Sequence, residues 1–232
     1  MIIITDAHVS KNKGNHASFF KMLETFEKND KDLIFLGDIF DLWIALPRYE
    51  EDIHQEFIAW CRKQKMRRTI GYVEGNHEFY LPNESAQAFT WHSRNTWQED
   101  GVGILFVHGD EINQKDKKYL NFKRVVRSQF VKLLIRYLPF GPKLLGFIKD
   151  GLKLTNLEFR SSLPKEEIEL YAESKFAEGA DTIFVGHFHQ EYTYRSRELK
   201  SLYILPDWFS TQKVTVYHRQ LKKIEWVRWE EL

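Results

Sequence analysis

Short apolar runs punctuate this chain, and each stops abruptly at a polar cluster. Residues 1–5, 33–36, 69–73, 103–107 and 182–185 are almost wholly apolar over four or five positions. Runs of that length and kind read as buried strands of a layered α/β sheet. Between them the period changes. Residues 16–28 place Phe19, Phe20, Leu23 and Phe26 on one side, and 50–65 turn Ile53, Phe57, Trp60 and Cys61 inward. Residues 165–178 are a third amphipathic stretch, so three packed helices are predicted. Residues 115–160 are helical too, with Tyr119, Phe122, Val126, Phe130, Leu133 and Tyr137 at spacings of three and four on one face. Pro139 and Gly141-Pro142 divide that segment into two helices. The tail, 191–229, carries β-rich runs such as 213–217 and predicts antiparallel strands.

The polar residues just past each apolar run carry the candidate chemistry. The five runs end in Asp6 and His8, Asp38 and Asp41, Asn76 and His77, His108, and His187 and His189. Open α/β folds place ligand sites at the carboxyl ends of strands. A carboxylate such as Asp38, just past a buried strand and a turn at Gly37, needs a partner. We read it as a bridge between two metal ions. Imidazole, carboxylate and amide without thiolate suit manganese, iron or zinc in a working site better than structural zinc. Seven of these nine groups would already exceed what one tetrahedral ion takes and would match two ions completed by water. His16, His54, His92 and His218 lack this setting and read as surface or packing residues.

Composition narrows the setting. The 232 residues, 43% hydrophobic and 29% charged, fit one soluble globular domain. The one cysteine, Cys61, excludes an internal disulfide and fits a reducing, cytoplasmic compartment. The chain opens on a strand with no visible signal peptide, and no 18-residue uncharged apolar run offers a membrane span.

The motifs Asp6-Ala-His8, Gly37-Asp38-Ile-Phe-Asp41, Gly75-Asn76-His77-Glu78, His108-Gly109 and Gly186-His187-Phe188-His189 resemble those of the calcineurin-like metallophosphoesterases. The resemblance implies an α/β fold, a four-layer αββα sandwich, made here of a single domain over 1–232. It implies that Asp6, His8, Asp38 and His189 hold one divalent ion, and that Asp38, Asn76, His108 and His187 hold the other. Manganese is expected, with iron or zinc as alternatives. His77 would act beside the pair, stabilising charge or protonating the leaving group. Asp41 and Glu78 would orient imidazoles.

Substrate turns on 113–160, an inserted helical lid with twelve Lys/Arg against three acidic residues, a formal +9 in a chain of +1. A basic amphipathic segment of that kind reads as a membrane-surface element, here over 115–155, that could also hold acyl chains. Leu36-Gly-Asp-Ile-Phe-Asp-Leu-Trp43, followed by Asp116, Tyr119, Phe122 and Lys123, is similar to the UDP-2,3-diacylglucosamine diphosphatases of bacterial lipid A synthesis. That likeness implies cleavage of a lipid-linked sugar nucleotide to UMP and the lipid 1-phosphate, by an enzyme peripherally attached to the inner membrane. Asp116, Tyr119 and Lys123 would face the head group, with Arg160 and Lys165 as candidates for the phosphates. The alternative is a metallophosphodiesterase or phosphatase for nucleotides or another soluble phosphoester. Nucleic acid is disfavoured, because the aromatics lie on the lid's apolar face rather than among exposed basic groups.

Overall fold

The computed structural model describes the whole chain except Pro47, Pro82, Asp100 and residues 138–162. Two sheets stack face to face with helices outside, the four layers expected. The first sheet holds β1 (Ile2–Ile4), β2 (Leu33–Leu36), β4 (Ile70–Val73), β6 (Trp91–Ser93), β12 (Lys213–His218) and β13 (Lys223–Arg228), ordered β13-β12-β1-β2-β4-β6. The second is ordered β10-β11-β9-β8-β7, from β7 (Thr96–Glu99), β8 (Ile104–Val107), β9 (Thr182–Val185), β10 (Tyr192–Arg195) and β11 (Ser201–Ile204). A two-stranded sheet pairs β3 (Trp43–Ile44) with β5 (Glu78–Phe79), and a short helix, α3 (Asn83–Ala86), follows.

Strand alternation divides each strand between two cores. Ile3, Ile34, Leu36 and Val73 of the first sheet meet Ile104, Phe106, Phe184 and Tyr203 of the second. The residues between them point outward. Ile2, Ile4, Phe35 and Tyr72 pack under α1 (His16–Phe26) and α2 (Asp52–Gln64), against Phe19, Leu23, Phe26, Phe57 and Cys61. On the far side Leu105, Ile183, Val185 and Ile204 pack under α6 (Lys165–Ala177), against Ile168, Ala172 and Phe176. Burial on both faces is why these strands read as unbroken apolar runs rather than alternating ones.

Three sequence expectations change. The tail is not wholly antiparallel: β11 runs parallel to β9, and only β10, β12 and β13 pair antiparallel to their neighbours. Second, four strands not expected from the sequence appear: β3, β5 and β6 are only two or three residues long and β7 is polar apart from Trp97, so none reads as an apolar run, and β6 and β7 are joined by Trp91 stacked on Trp97 at 3.9 Å. Third, the expected single apolar face over 119–137 is broken. The chain forms two helices, α4 (Lys117–Val126) and α5 (Gln129–Tyr137), and at the start of the second the Ser128 hydroxyl accepts the Val131 N–H at 3.3 Å. Tyr119 and Val126 stay buried, while Phe130, Leu133 and Tyr137 emerge 69%, 53% and 68% exposed. The expected breakers Pro139 and Gly141-Pro142 and the remainder of the expected lid, to residue 160, lie outside the described residues.

The two helices rest on the β3–β5 ribbon. Ile44, Leu46 and Phe79 pack against Val126 and Ile135, with Tyr49, Tyr80 and Phe122 at the margin. Tyr49 donates its hydroxyl to the Ile135 carbonyl at 3.0 Å, and Tyr80 donates to the Val126 carbonyl. On the other side of the ribbon His54 lies stacked on Trp43, ring centroids 5.3 Å apart. Its Nδ1 accepts the Glu51 N–H at 2.9 Å, so this histidine is a packing and capping residue.

Candidate metal centre

In-register pairing brings the strand ends together. Phe35 lies beside Ile4 and Tyr72, and Val185 lies between Val107 and Ile204, so the polar clusters just beyond them share one edge of the sandwich. There the backbone turns hard. Asp6, His8, Asp38, His187 and His189 all have positive φ, from 42° to 70°. A side chain in that region costs on the order of 1–3 kcal/mol and persists where the surroundings enforce it, commonly at functional sites. Glycines provide the closeness: a Cβ on Gly37 would strike the His108 ring, and one on Gly186 would strike the Thr5 hydroxyl. The sheets therefore touch where the polar groups meet.

Each carboxylate is half used. Asp6 Oδ2 accepts the Thr5 hydroxyl at 2.6 Å and the His187 N–H at 2.8 Å, leaving Oδ1 buried without a hydrogen-bond partner. Asp38 Oδ1 accepts the His77 N–H at 2.9 Å, leaving Oδ2 in the same condition. Around these oxygens stand imidazole nitrogens: His189 Nε2 is 3.5 Å from Asp6 Oδ1, and His77 Nε2 is 3.7 Å from Asp38 Oδ2. His8 Nε2 and His189 Nε2 face each other at 3.4 Å across nearly parallel rings. His108 Nδ1 reaches the Leu36 carbonyl at 3.1 Å and, since a carbonyl only accepts, must carry the proton. Its Nε2 then faces Asn76 Oδ1 at 3.1 Å. Acceptor atoms aimed at one another in a buried cluster fit cations between them. Asp6, His8 and His189 form one group of metal-holding geometry; Asp38, His108 and His187 form another; His8, Asp38 and His77 form a third that overlaps both.

Titration behaviour fits part of that donor set: burial works against a charged His108, yet the Asp38 and Asp6 carboxylates pull it up to about 10, toward the protonated form. Burial, with the nearby imidazoles, holds His8 well below its usual range and His187 at about 3, so both are neutral and able to donate lone pairs. Burial pushes the Asp38 carboxyl up, yet the neighbouring His77 and His108 together hold it well below the carboxylate range. Burial raises the Asp6 carboxyl.

The supporting residues differ in how they act. His77 Nδ1 donates to the Asp41 carbonyl at 2.6 Å, while the Asp41 carboxylate pairs with Lys13 at 2.7 Å. Glu78 is directed at backbone rather than imidazole: it accepts N–H groups from Asp38, Ile39 and Gly75 at 2.9, 2.8 and 2.6 Å. Asp116 caps α4 by accepting the Tyr119 N–H at 2.9 Å. The Tyr119 hydroxyl donates to Asp110 at 2.6 Å, and Lys123 pairs with Asp110 and Glu111, each at 2.6 Å. Lys165 opens α6 with its ammonium 5.4 Å from the Tyr192 ring centroid, and Arg160 lies outside the described residues.

Sequence reasoning missed Asp207. Its Oδ2 lies 3.6 Å from His189 Nδ1 and accepts the Ser210 N–H at 2.7 Å. The signal is present, since residues 202–205 are another apolar run with a carboxylate close behind, but an antiparallel reading of the tail hides it.

A family model described as calcineurin-like phosphoesterase matches residues 1–191. A UDP-2,3-diacylglucosamine hydrolase of Pseudomonas entomophila is 26% identical, over 82% of this chain and 82% of its own. One of Vibrio cholerae is 25% identical over 95% of each chain. Among solved structures, vacuolar protein sorting 29 of Cryptosporidium parvum aligns with 97% of this chain and 94% of its own at 11% identity, with a TM-score of 0.43.

Proposed function

The chain belongs to the calcineurin-like phosphoesterase family and is a metal-dependent hydrolase, and on that premise we propose that it cleaves the diphosphate of UDP-2,3-diacylglucosamine, releasing UMP and the lipid 1-phosphate. Asp6, His8, Asp38 and His189 hold one divalent ion in this reading, and Asp38, Asn76, His108 and His187 the other. Two such ions polarise a phosphoryl oxygen and make water a competent nucleophile near neutral pH. The observation that carries the site assignment is the pair of buried, unbonded oxygens, Asp6 Oδ1 and Asp38 Oδ2, ringed by imidazoles.

The chain's own groups do the rest. The Asp41 carbonyl fixes the proton on His77 Nδ1, so Nε2 faces the cluster. In its protonated form His77 can supply a proton to the departing phosphate, and in either form it is held by two hydrogen bonds, one through its backbone N–H. Manganese is the ion we favour for a site of imidazole, carboxylate and amide donors.

The lipid part of the reading is supported by the names of the two relatives and by α5. Phe130, Leu133 and Tyr137 form an exposed apolar stripe beside Lys132 and Arg136. An apolar stripe next to cations suits acyl chains and anionic lipid, so we place the protein peripherally at the cytoplasmic face of the inner membrane. No described helix is long and apolar enough to cross a membrane.

The test is hydrolysis with Mn²⁺ of UDP-2,3-diacylglucosamine against unacylated UDP-N-acetylglucosamine. Each buried methylene contributes on the order of 0.8 kcal/mol, so the acylated substrate should be strongly preferred. Phe130→Glu or Leu133→Glu should cut lipid hydrolysis and spare a small chromogenic phosphodiester. Equal turnover of the two sugar nucleotides would move the protein to the class of phosphodiesterases for soluble nucleotides.

A further inference from the structure

Helix α4 places Tyr119 and Lys123 four residues apart on one face, and Arg127, four further on, caps its end. This row bridges two loops of the metal centre. Tyr119 and Lys123 both end on Asp110, two residues past His108. Arg127 ends on the other loop. Its Nη2 donates to the Gly75 carbonyl at 2.6 Å and to the Glu78 carbonyl at 3.2 Å, the two carbonyls that bracket Asn76 and His77. Its Nη1 donates to the Arg94 carbonyl at 3.4 Å, and its side chain is 19% exposed, beside the Phe79 ring.

We propose that Arg127 is a positioning residue for the hydrolysis: it fixes the Asn76–His77 turn to α4, and α4, anchored through Lys123 and Tyr119 to Asp110, fixes that turn relative to His108. The 3.1 Å approach of Asn76 Oδ1 to His108 Nε2 is the distance so controlled. The inference rests on the reading of Asn76 and His108 as ligands of one ion. Planarity matters, since one guanidinium meets three carbonyls from two chain segments at fixed angles and an ammonium cannot. The inserted helices and the metal centre are mechanically linked through this side chain, so a shift of α4 is a shift of Asn76.

The experiment compares wild type, Arg127→Met and Arg127→Lys. Readouts are Mn²⁺ binding by calorimetric titration and steady-state kinetics on bis(p-nitrophenyl) phosphate, a small diester without acyl chains. Arg127→Met should keep its circular dichroism, bind one of two Mn²⁺ ions roughly tenfold or more weakly, and bind the other as wild type does. Its kcat should fall about tenfold or more with KM within about twofold, and Arg127→Lys should recover part of both losses. Wild-type kcat and wild-type affinity for both ions in Arg127→Met would overturn the proposal. So would a loss confined to KM or to acylated substrate, which would make Arg127 a substrate contact. If Arg127→Met does not fold, Arg127→Lys decides alone, with a weakened single Mn²⁺ site expected and an unchanged pair overturning it. Failure of the lipid reading would appear in the substrate profile of the wild type, and the comparison on the diester would stand apart from it.

Discussion

Glu78 holds Asp38 by the backbone. One carboxylate oxygen accepts the Asp38 and Gly75 N–H groups at 2.9 and 2.6 Å, and the other accepts that of Ile39 at 2.8 Å. Two loops from neighbouring strands are thus joined through one fully buried side chain. Glu78→Gln keeps the shape but turns a donor toward one of those N–H groups, and each buried unsatisfied group costs about 1–3 kcal/mol. We expect a melting temperature several degrees lower and reduced metal content, by thermal denaturation and metal analysis. An unchanged melting temperature would mean that the clasp contributes nothing.

Asp38→Ala should abolish activity and weaken both ion sites, because it removes the carboxylate proposed to bridge them. His77→Ala should reduce turnover with metal content near wild type. Since His77 Nε2 also lies 3.7 Å from Asp38 Oδ2, metal analysis is the deciding measurement. Metal loss in His77→Ala as complete as in Asp38→Ala would make His77 a ligand.

Asp207→Asn preserves the cap on Ser210 and removes the charge beside His189 Nδ1. Carboxylates behind metal-binding imidazoles typically contribute 10–100-fold in affinity, so one of two Mn²⁺ ions should bind roughly that much more weakly. Titration calorimetry would show it, and two unaltered binding steps would exclude Asp207 from the centre.

Burial of His54 lowers its pKa to about 4, against the pull of the Leu42 carbonyl. Its unfolded value is about 6.5, so the unfolded chain takes up a proton first as pH falls. The resulting stability is complete above pH ~6.5 and declines as pH drops toward ~4, by about 2 kcal/mol between pH 7.5 and 5. Protonation would also cost the acceptor that Nδ1 offers to the Glu51 N–H. Urea denaturation of wild type and His54→Gln should show the stability gap between them narrowing over that range. A gap independent of pH would contradict the assignment.

The sequence by itself determined the strands that matter and the residues at their ends. Leu33–Leu36, Ile70–Val73, Ile104–Val107 and Thr182–Val185 lie where apolar runs place them, because strands covered on both faces have no polar positions to blur the pattern. Asp38, Asn76, His108 and His187 come directly after those runs, so their grouping could be anticipated from order alone. What only the tertiary structure decided depends on contacts between segments far apart in the chain. The Gly186 backbone against Thr5, the tie from Arg127 to Gly75, and Asp207 behind His189 are set by how two sheets and a helical insertion dock. The apolar face expected over 119–137 departs from expectation for the same reason. Periodicity carries through Arg127-Ser128 as if the helix continued, whereas the chain breaks there, the Ser128 hydroxyl accepts the Val131 N–H, and Phe130, Leu133 and Tyr137 face outward. Hydrophobic spacing records which residues avoid water along one rigid element, whereas the angle between elements is fixed by single polar contacts that leave no period behind.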